Sequence, residues 1–258
     1  MSLPADRFTT ERIIAMRRWT PHLFSFRTTR DAAFRFVPGQ FARLGLRKED
    51  GSIVWRAYSM VSAPYDEHLE FYSIVVPDGE FTSRLARLAE GDEIFVEKMN
   101  YGFLTTDRFE GGRDLWLLAT GTGLAPFISI LHDRSTWTDY ERIVLVHSVR
   151  TAAELAYRDE IARLVDHPLV GDVVHKLHYV PVVTRERVAG ALSARITTLI
   201  ESGELERAVG FPLDHERSRI MLCGNPQMVD DGRKLLNRLG YKLSRRAAPA
   251  QLVVENMW

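Results

Sequence analysis

Leu115-Trp116-Leu117-Leu118-Ala119-Thr120-Gly121-Thr122-Gly123-Leu124-Ala125-Pro126-Phe127-Ile128-Ser129-Ile130-Leu131 is the longest uncharged run in the chain. It falls short of the ~20 residues that a membrane-spanning helix needs, and two glycines interrupt it. The run reads instead as a buried strand, Leu115 to Ala119, a turn at Gly121-Thr122-Gly123, and a buried helix, Leu124 to Leu131. Pro126 falls in the first helical turn, where its missing N–H is tolerated.

The pattern repeats downstream. Strands are expected at Ile143 to His147, Leu177 to Val183, Ile220 to Cys223 and Leu252 to Glu255. Between them helices are expected at Glu154 to Val165, Ala194 to Glu201 and Pro226 to Leu239. The last is well marked, with Asn225 to cap it, Pro226 first, Asp230 and Asp231 near its start and Gly240 just past its end. Alternating strands and helices predict a parallel sheet covered on both faces, which binds ligands at the carboxyl ends of its strands.

Upstream the period changes. Extended runs at Arg12 to Met16, Leu23 to Arg27, Phe41 to Leu46, Val54 to Val61, Leu69 to Val76 and Glu93 to Glu97 are separated by proline and glycine turns. Roughly six short strands at such spacing predict an antiparallel barrel or sandwich. One helix interrupts them, Phe81 to Leu88, with Thr82 or Ser83 as its expected cap and its start as a possible anion site. A polar linker, Thr105 to Asp114, follows. The expected fold class is therefore α+β with two domains: an N-terminal antiparallel β-barrel, residues 1–107, then an α/β parallel-sheet domain, residues 108–258.

Composition narrows the function classes. The 258 residues carry 34 Lys+Arg against 34 Asp+Glu, so no global charge points to nucleic acid. The single cysteine, Cys223, excludes a disulfide framework, a Cys-rich zinc site and a Cys-ligated iron–sulfur cluster within this chain. The eight histidines show no metal-ligand spacing, so no metal is expected. The first residues lack the apolar core of a signal peptide, which predicts a cytoplasmic protein, not bound to membrane. Balanced composition and one cysteine leave the oligomeric state open, with a monomer preferred.

Within the barrel half, Arg56-Ala57-Tyr58-Ser59 stands out. Residues two apart share a strand face, so Arg56 and Tyr58 project together, a phosphate-binding fork beside an aromatic ring. An exposed arginine beside a half-buried tyrosine is the plainer alternative. Ser59 faces the other way and joins them only if the strand ends or twists there. In the second half three strand ends carry ligand-suited residues. The Gly121-Thr122-Gly123 turn lets a pyrophosphate approach the next helix. His147-Ser148-Val149-Arg150 ends in arginine, where a fold preferring NAD would place an acidic residue, and this favours a 2′-phosphate and hence NADP. Thr184-Arg185 and Arg195 stand near enough in the pattern to join it, though each arginine alone also reads as surface. At Cys223-Gly224-Asn225 the thiol reads either as a nicotinamide contact or as a small core residue.

The ordered set Pro38-Gly39-Gln40-Phe41, Arg56-Ala57-Tyr58-Ser59, Gly121-Thr122-Gly123-Leu124-Ala125-Pro126 and Cys223-Gly224-Asn225-Pro226-Gln227-Met228 resembles the ferredoxin–NADP reductase family, and within it the bacterial flavodoxin/ferredoxin–NADP reductases. The likeness spans nearly the whole chain. It implies an FAD barrel followed by an NADP domain, with FAD between them. Arg56 would hold the FAD pyrophosphate, and Tyr58, with Ala57, would contact the flavin and ribityl chain. Ser59 would hydrogen-bond near flavin N5, the backbone of Tyr72-Ser73-Ile74-Val75 would line the ring edge, and Glu80-Phe81-Thr82 would meet the phosphates. Thr122 would lie between flavin and nicotinamide. Arg150, Thr184, Arg185 and Arg195 would bind the 2′-phosphate end of NADP(H), and Glu255 matches the family's carboxylate. Met257 departs from the aromatic or alanine of relatives, and Trp258 would reach the flavin.

The implied activity is that of a two-electron to one-electron converter. NADPH gives a hydride to flavin N5, and single electrons pass to ferredoxin or flavodoxin. The flavin supplies the chemistry while the protein supplies alignment and electrostatics. Ser59 and Glu255 would then tune the flavin and handle protons. Acidic carriers need a basic docking face, for which Arg17-Arg18, Arg43, Arg47-Lys48 and Arg245-Arg246 are candidates beside the alternative of solvated surface charge. Two rival functions remain at this point: an NADH-dependent oxygenase reductase component and a non-catalytic flavin-binding module.

Overall fold

The computed structural model describes residues 5–256. Its first half is a sheet of β1 (Phe8–Thr20), β2 (Leu23–Thr29), β3 (Phe41–Arg47), β4 (Ile53–Ser59), β5 (His68–Ile74) and β6 (Glu93–Tyr101), with α1 (Glu80–Leu85) before the last strand. The strand order is β4-β3-β6-β1-β2-β5, and every neighbouring pair is antiparallel. An antiparallel bridge from Met60 to Phe71 joins the two outer strands and closes the sheet into a barrel. Alternation along β2 and β3 drives Phe24, Phe26, Ala42 and Leu44 into the interior, where they meet Tyr58, Met60, Phe71 and Phe81.

The second half runs β7 (Asp114–Thr120), α2 (Ala125–Leu131), α3 (Arg134–Asp139), β8 (Arg142–Val149), α4 (Arg158–Ala162), β9 (Leu177–Val183), α5 (Ile196–Glu201), α6 (Glu204–Val209), β10 (Ser218–Gly224), α7 (Pro226–Arg238) and β11 (Leu252–Asn256). The sheet order is β11-β10-β7-β8-β9, with every neighbouring pair parallel. Successive residues of β7 feed opposite layers. Leu115, Leu117 and Ala119 pack into one core, and Trp116 and Leu118 into the other, as a strand covered on both faces requires. The chain moves outward from β7 through β8 to β9, then returns to β10 on β7's other side. The switch in direction opens a crevice at the carboxyl ends of β7 and β10.

Several boundaries differ from the sequence reading. The stretch expected as one helix from Glu154 to Val165 is broken into a 3₁₀ turn at Ala152–Glu154, α4, and a second 3₁₀ turn at Arg163–Asp166. The break lies at Tyr157, whose backbone is left-handed at φ 60. Gly121–Leu124 is a 3₁₀ turn, so the following helix starts at Ala125. α3 and α6 were absent from the sequence reading; each is six residues long, too short for a periodic signal. β1 runs to Thr20, far past Met16, with register shifts that let its two halves serve different partners. The cap of α1 is Gly79, not Thr82 or Ser83. The Thr82 hydroxyl instead accepts the Val76 N–H at 3.1 Å, which ties the helix back to the end of β5.

The two halves are docked by specific bonds. Ser129 donates its hydroxyl to the Ser62 carbonyl at 2.8 Å, and Tyr157 donates to the Glu70 carboxylate at 2.7 Å. Glu70 also accepts from Arg27 Nε at 2.7 Å. The Tyr157 ring lies against Trp19 and Tyr72, with centroids 4.9 and 5.2 Å away. Arg17 pairs with Glu160 and stacks on Trp19.

Candidate active site

The turn after β7 and the turn after β10 touch backbone to backbone. A Cβ on Gly123 would stand 2.3 Å from the Cys223 carbonyl oxygen. One on Gly224, where φ is +136, would stand 2.2 Å from Thr120 Oγ1. Only glycine fits at either place. Thr120 Oγ1 accepts the Asn225 N–H at 2.9 Å, and Asn225 in turn caps α7, its Oδ1 accepting from Gln227 N at 2.9 Å and Met228 N at 3.3 Å. This fused pair of turns is the floor of a cleft between the two halves.

The cleft has two chambers that share Ile74 and Thr122. The first, of about 320 Å³, lies against the barrel and is lined by Arg56, Ala57, Tyr58, Tyr72, Ser73, Glu80, Phe81 and Thr82. Val76 and Gly79 also line it and escaped the sequence reading; both belong to the turn between β5 and α1, whose glycine was the available signal. Val75 does not line it. Tyr58 and Ser73 bond hydroxyl to hydroxyl at 2.9 Å. Burial pushes the Tyr58 hydroxyl up to about 12, partly offset by Ser73 and Arg56, so it stays a neutral phenol. Arg56 is exposed at the rim and donates to the Trp55 carbonyl at 2.8 Å; the described residues give it no carboxylate partner.

The second chamber, of about 440 Å³, lies over the carboxyl ends of the parallel sheet. Arg150, Thr184, Arg195, Gly224 and Asn225 line it as the sequence suggested, together with Thr120, Gly121, Ser148, Val149, Glu154, Thr197, Gln227 and Asp231, among others. Arg185 does not. Cys223 is wholly buried, and burial drives its thiol well above the ordinary range, with the Glu255 charge adding to this. It stands as a core residue beside the cleft rather than in its wall. Arg150 is paired with Glu154, at 2.6 Å from Nη2 to Oε1.

Ser59 and Glu255 meet each other, and neither is in the lining of the first chamber. β4 ends at Ser59, and its side chain hydrogen-bonds the Glu255 carboxyl, which also accepts the Phe103 N–H. Cys223 and Glu255 are register partners on β10 and β11. Burial lifts the Glu255 carboxyl to about 7 despite those two bonds. A carboxyl poised there can hold or release a proton near neutral pH. Trp258, expected to reach the flavin, and Met257 lie outside the described residues.

The proposed docking arginines are unequal. Arg17 is engaged by Glu160, Arg18 donates to the Ala86 carbonyl, Arg43 lies 3.4 Å from Glu97, and Lys48 lies 3.2 Å from Glu80. Arg47, Arg245 and Arg246 are exposed.

Residues 18–100 match the family model described as an oxidoreductase FAD-binding domain, and residues 117–234 match that of an oxidoreductase NAD-binding domain. A ferredoxin–NADP reductase of Pseudomonas aeruginosa is 44% identical over 95% of this chain and 96% of its own length. A flavodoxin/ferredoxin–NADP reductase of Rhodobacter capsulatus is 39% identical, over 94% and 90%. The crystal structure of a ferredoxin NADP+ reductase from Neisseria gonorrhoeae with bound FAD and NADP superposes with a TM-score of 0.91, at 38% identity, covering 98% of this chain and 99% of that one.

Proposed function

The chain belongs to the ferredoxin–NADP reductase family, and on that premise we propose how its own residues carry out FAD-mediated electron exchange between NADP(H) and ferredoxin or flavodoxin. The observation that carries the reading is the continuous cleft, with Arg56 in the wall of one chamber, two arginines in the wall of the other and Thr122 in the wall of both. FAD, when bound, would supply the redox chemistry, taking up one hydride, that is two electrons and a proton, and giving electrons up one at a time. The first chamber fits it: Arg56, without a carboxylate partner among the described residues, for pyrophosphate, an uncharged Tyr58 phenol for the ring, and an extended β5 edge.

The chain's residues then divide the work. Arg56 would bind phosphate, and Tyr58, held by Ser73, would pack against the flavin. Tyr72, Ser73 and Ile74 would support it from the strand, and Glu80, Phe81 and Thr82 would close the chamber beside the phosphates. Thr122, in the wall of both chambers, would align the two cofactors for hydride transfer. Arg150, Thr184 and Arg195 receive the 2′-phosphate end of NADP(H). Ser59 and Glu255 hold a proton close to the flavin site. The functional division falls at residues 107/108, the working unit is a monomer, and the compartment is the cytoplasm. Among the described residues no helix is long and apolar enough to cross a membrane.

The test is direct. The purified chain should show bound-flavin absorbance that NADPH bleaches faster than NADH; equal rates remove the 2′-phosphate assignment, and no bleaching removes the enzyme. Turnover with ferredoxin or flavodoxin should fall steeply between low and physiological salt while dye reduction holds, since exposed charges are screened over about 10 Å at 0.1 M. Equal salt responses would count against Arg47, Arg245 and Arg246 as the docking face.

A further inference from the structure

The second chamber is lined by Arg150 and Arg195, but also by Glu154 and Asp231. Its wall therefore carries two cations and two carboxylates, whose formal charges cancel. Glu154 closes the 3₁₀ turn Ala152–Glu154 that follows β8, and this turn folds its side chain back over the residue four places before it. Its carboxylate accepts from Arg150 Nε at 3.0 Å, from Nη2 at 2.6 Å and from the Arg150 backbone N–H at 2.9 Å. Glu186 takes the Ala152 N–H in the same loop.

The guanidinium edge that would fork a phosphate is thus already forked by a carboxylate. Two backbone donors of the loop are likewise occupied by acids. Arg56, in the other chamber, has no carboxylate partner among the described residues. Burial raises the Glu154 carboxyl, but the Arg150 side chain and N–H outweigh it and hold it below the usual range, so it is ionised at neutral pH. An ionised carboxylate here opposes a dianionic 2′-phosphate. It is also the acceptor that a ribose with free hydroxyls requires.

We propose that Glu154 is a specificity-determining residue at the adenosine end of the site: it competes with the 2′-phosphate for Arg150 and offers an acceptor to an unphosphorylated ribose. The preference for NADPH over NADH is thereby narrower than the arginines alone would give. This rests on the reading in which Arg150 meets the 2′-phosphate.

The test compares the FAD-loaded wild type with Glu154→Gln and Arg150→Leu, using ferricyanide as acceptor and inhibition by 2′,5′-ADP and 5′-AMP. Glu154→Gln should lower KM for NADPH and the 2′,5′-ADP inhibition constant, on the order of tenfold for removing one charge beside a dianion in a partly exposed site. It should raise KM for NADH. A residue that only braced the loop would raise both KM values together. A rise in KM for NADPH, or an unchanged NADPH-to-NADH ratio, overturns the proposal. Arg150→Leu separates the two levels. If it weakens 2′,5′-ADP while Glu154→Gln leaves the ratio unchanged, the role of Glu154 fails and the 2′-phosphate assignment stands. If it leaves 2′,5′-ADP unaffected, the assignment fails and the role of Glu154 goes with it.

Discussion

At the scale of single residues, position in the chain and position in the charge balance are different things. Arg56 and Arg150 looked alike as phosphate-suited arginines near strand ends. Among the described residues the first bonds only a backbone carbonyl, and the second is given a carboxylate. Glu154 was not legible as a site residue, because its effect depends on a single 3₁₀ turn that folds it back, and the sequence there reads as the start of a helix. Arg56 and Tyr58 were legible because strand periodicity alone puts them on one face, and both line one chamber. The pairing of Ser59 with Glu255 joins the two halves of the chain, and no local pattern announces it.

Glu255 gives a prediction with a definite sign. Its folded pKa, about 7, lies above the ordinary glutamate value, so folding favours the protonated carboxyl. The stability that follows is present in full below the ordinary carboxylate range and drains away as pH rises through about 7. Glu255→Gln, which cannot ionise, should therefore melt higher than the wild type at pH 8 and lose that advantage at pH 5. A gap that does not change with pH would mean that the carboxyl is not held neutral.

Among the elements, the fused turns after β7 and β10 are the least tolerant. Gly123→Ala should cost about 1–3 kcal/mol or more, since its Cβ would meet backbone rather than a side chain that can turn away. Chemical denaturation checks this, and the variant should also oxidise NADPH more slowly because Thr122 lies between the two glycines. Gly91→Ala, where nothing lies within 4 Å of the added carbon, is the comparison; its φ of +94 still costs something, so only the excess at position 123 reports the close approach. The glycines themselves were readable in the sequence as a place of close approach. What they approach was not: the neighbour is another turn of the same chain, not only a ligand. The α1 cap failed for the opposite reason, since Thr82 satisfies a strand-end N–H and leaves the helix start to Gly79.

For the whole molecule, the class of each half was legible from its hydrophobic period, and the angle between the halves was not. One of the contacts that hold the halves together is Tyr157, a left-handed residue that reaches from the parallel-sheet half to Glu70, Trp19 and Tyr72 of the barrel half. A non-glycine residue in that conformation persists only where its surroundings hold it. Tyr157→Ala should cost about 3–5 kcal/mol and split calorimetric unfolding into two transitions as the halves uncouple. Tyr157→Phe, which removes only the hydroxyl, should cost about 1–3 kcal/mol and keep one transition. A single, unshifted transition in Tyr157→Ala would show that docking does not depend on this side chain.

The strand order β4-β3-β6-β1-β2-β5 has a further consequence, for how the protein is made. β6 is the only strand between β3 and β1, so without it the barrel is two separate pieces, the β3–β4 hairpin and the three strands β1, β2 and β5. The Met60–Phe71 bridge is then their one ladder contact. Phe8 must wait for Glu97. During synthesis, which proceeds from the N-terminus, the chain therefore emerges with several open strand edges at once, and these close together when a single late segment arrives. Such edges invite pairing with other chains. The barrel half should thus be the part that most needs protection on the ribosome, and a nascent chain halted before residue 93 should be held by chaperones far longer than one halted after residue 101.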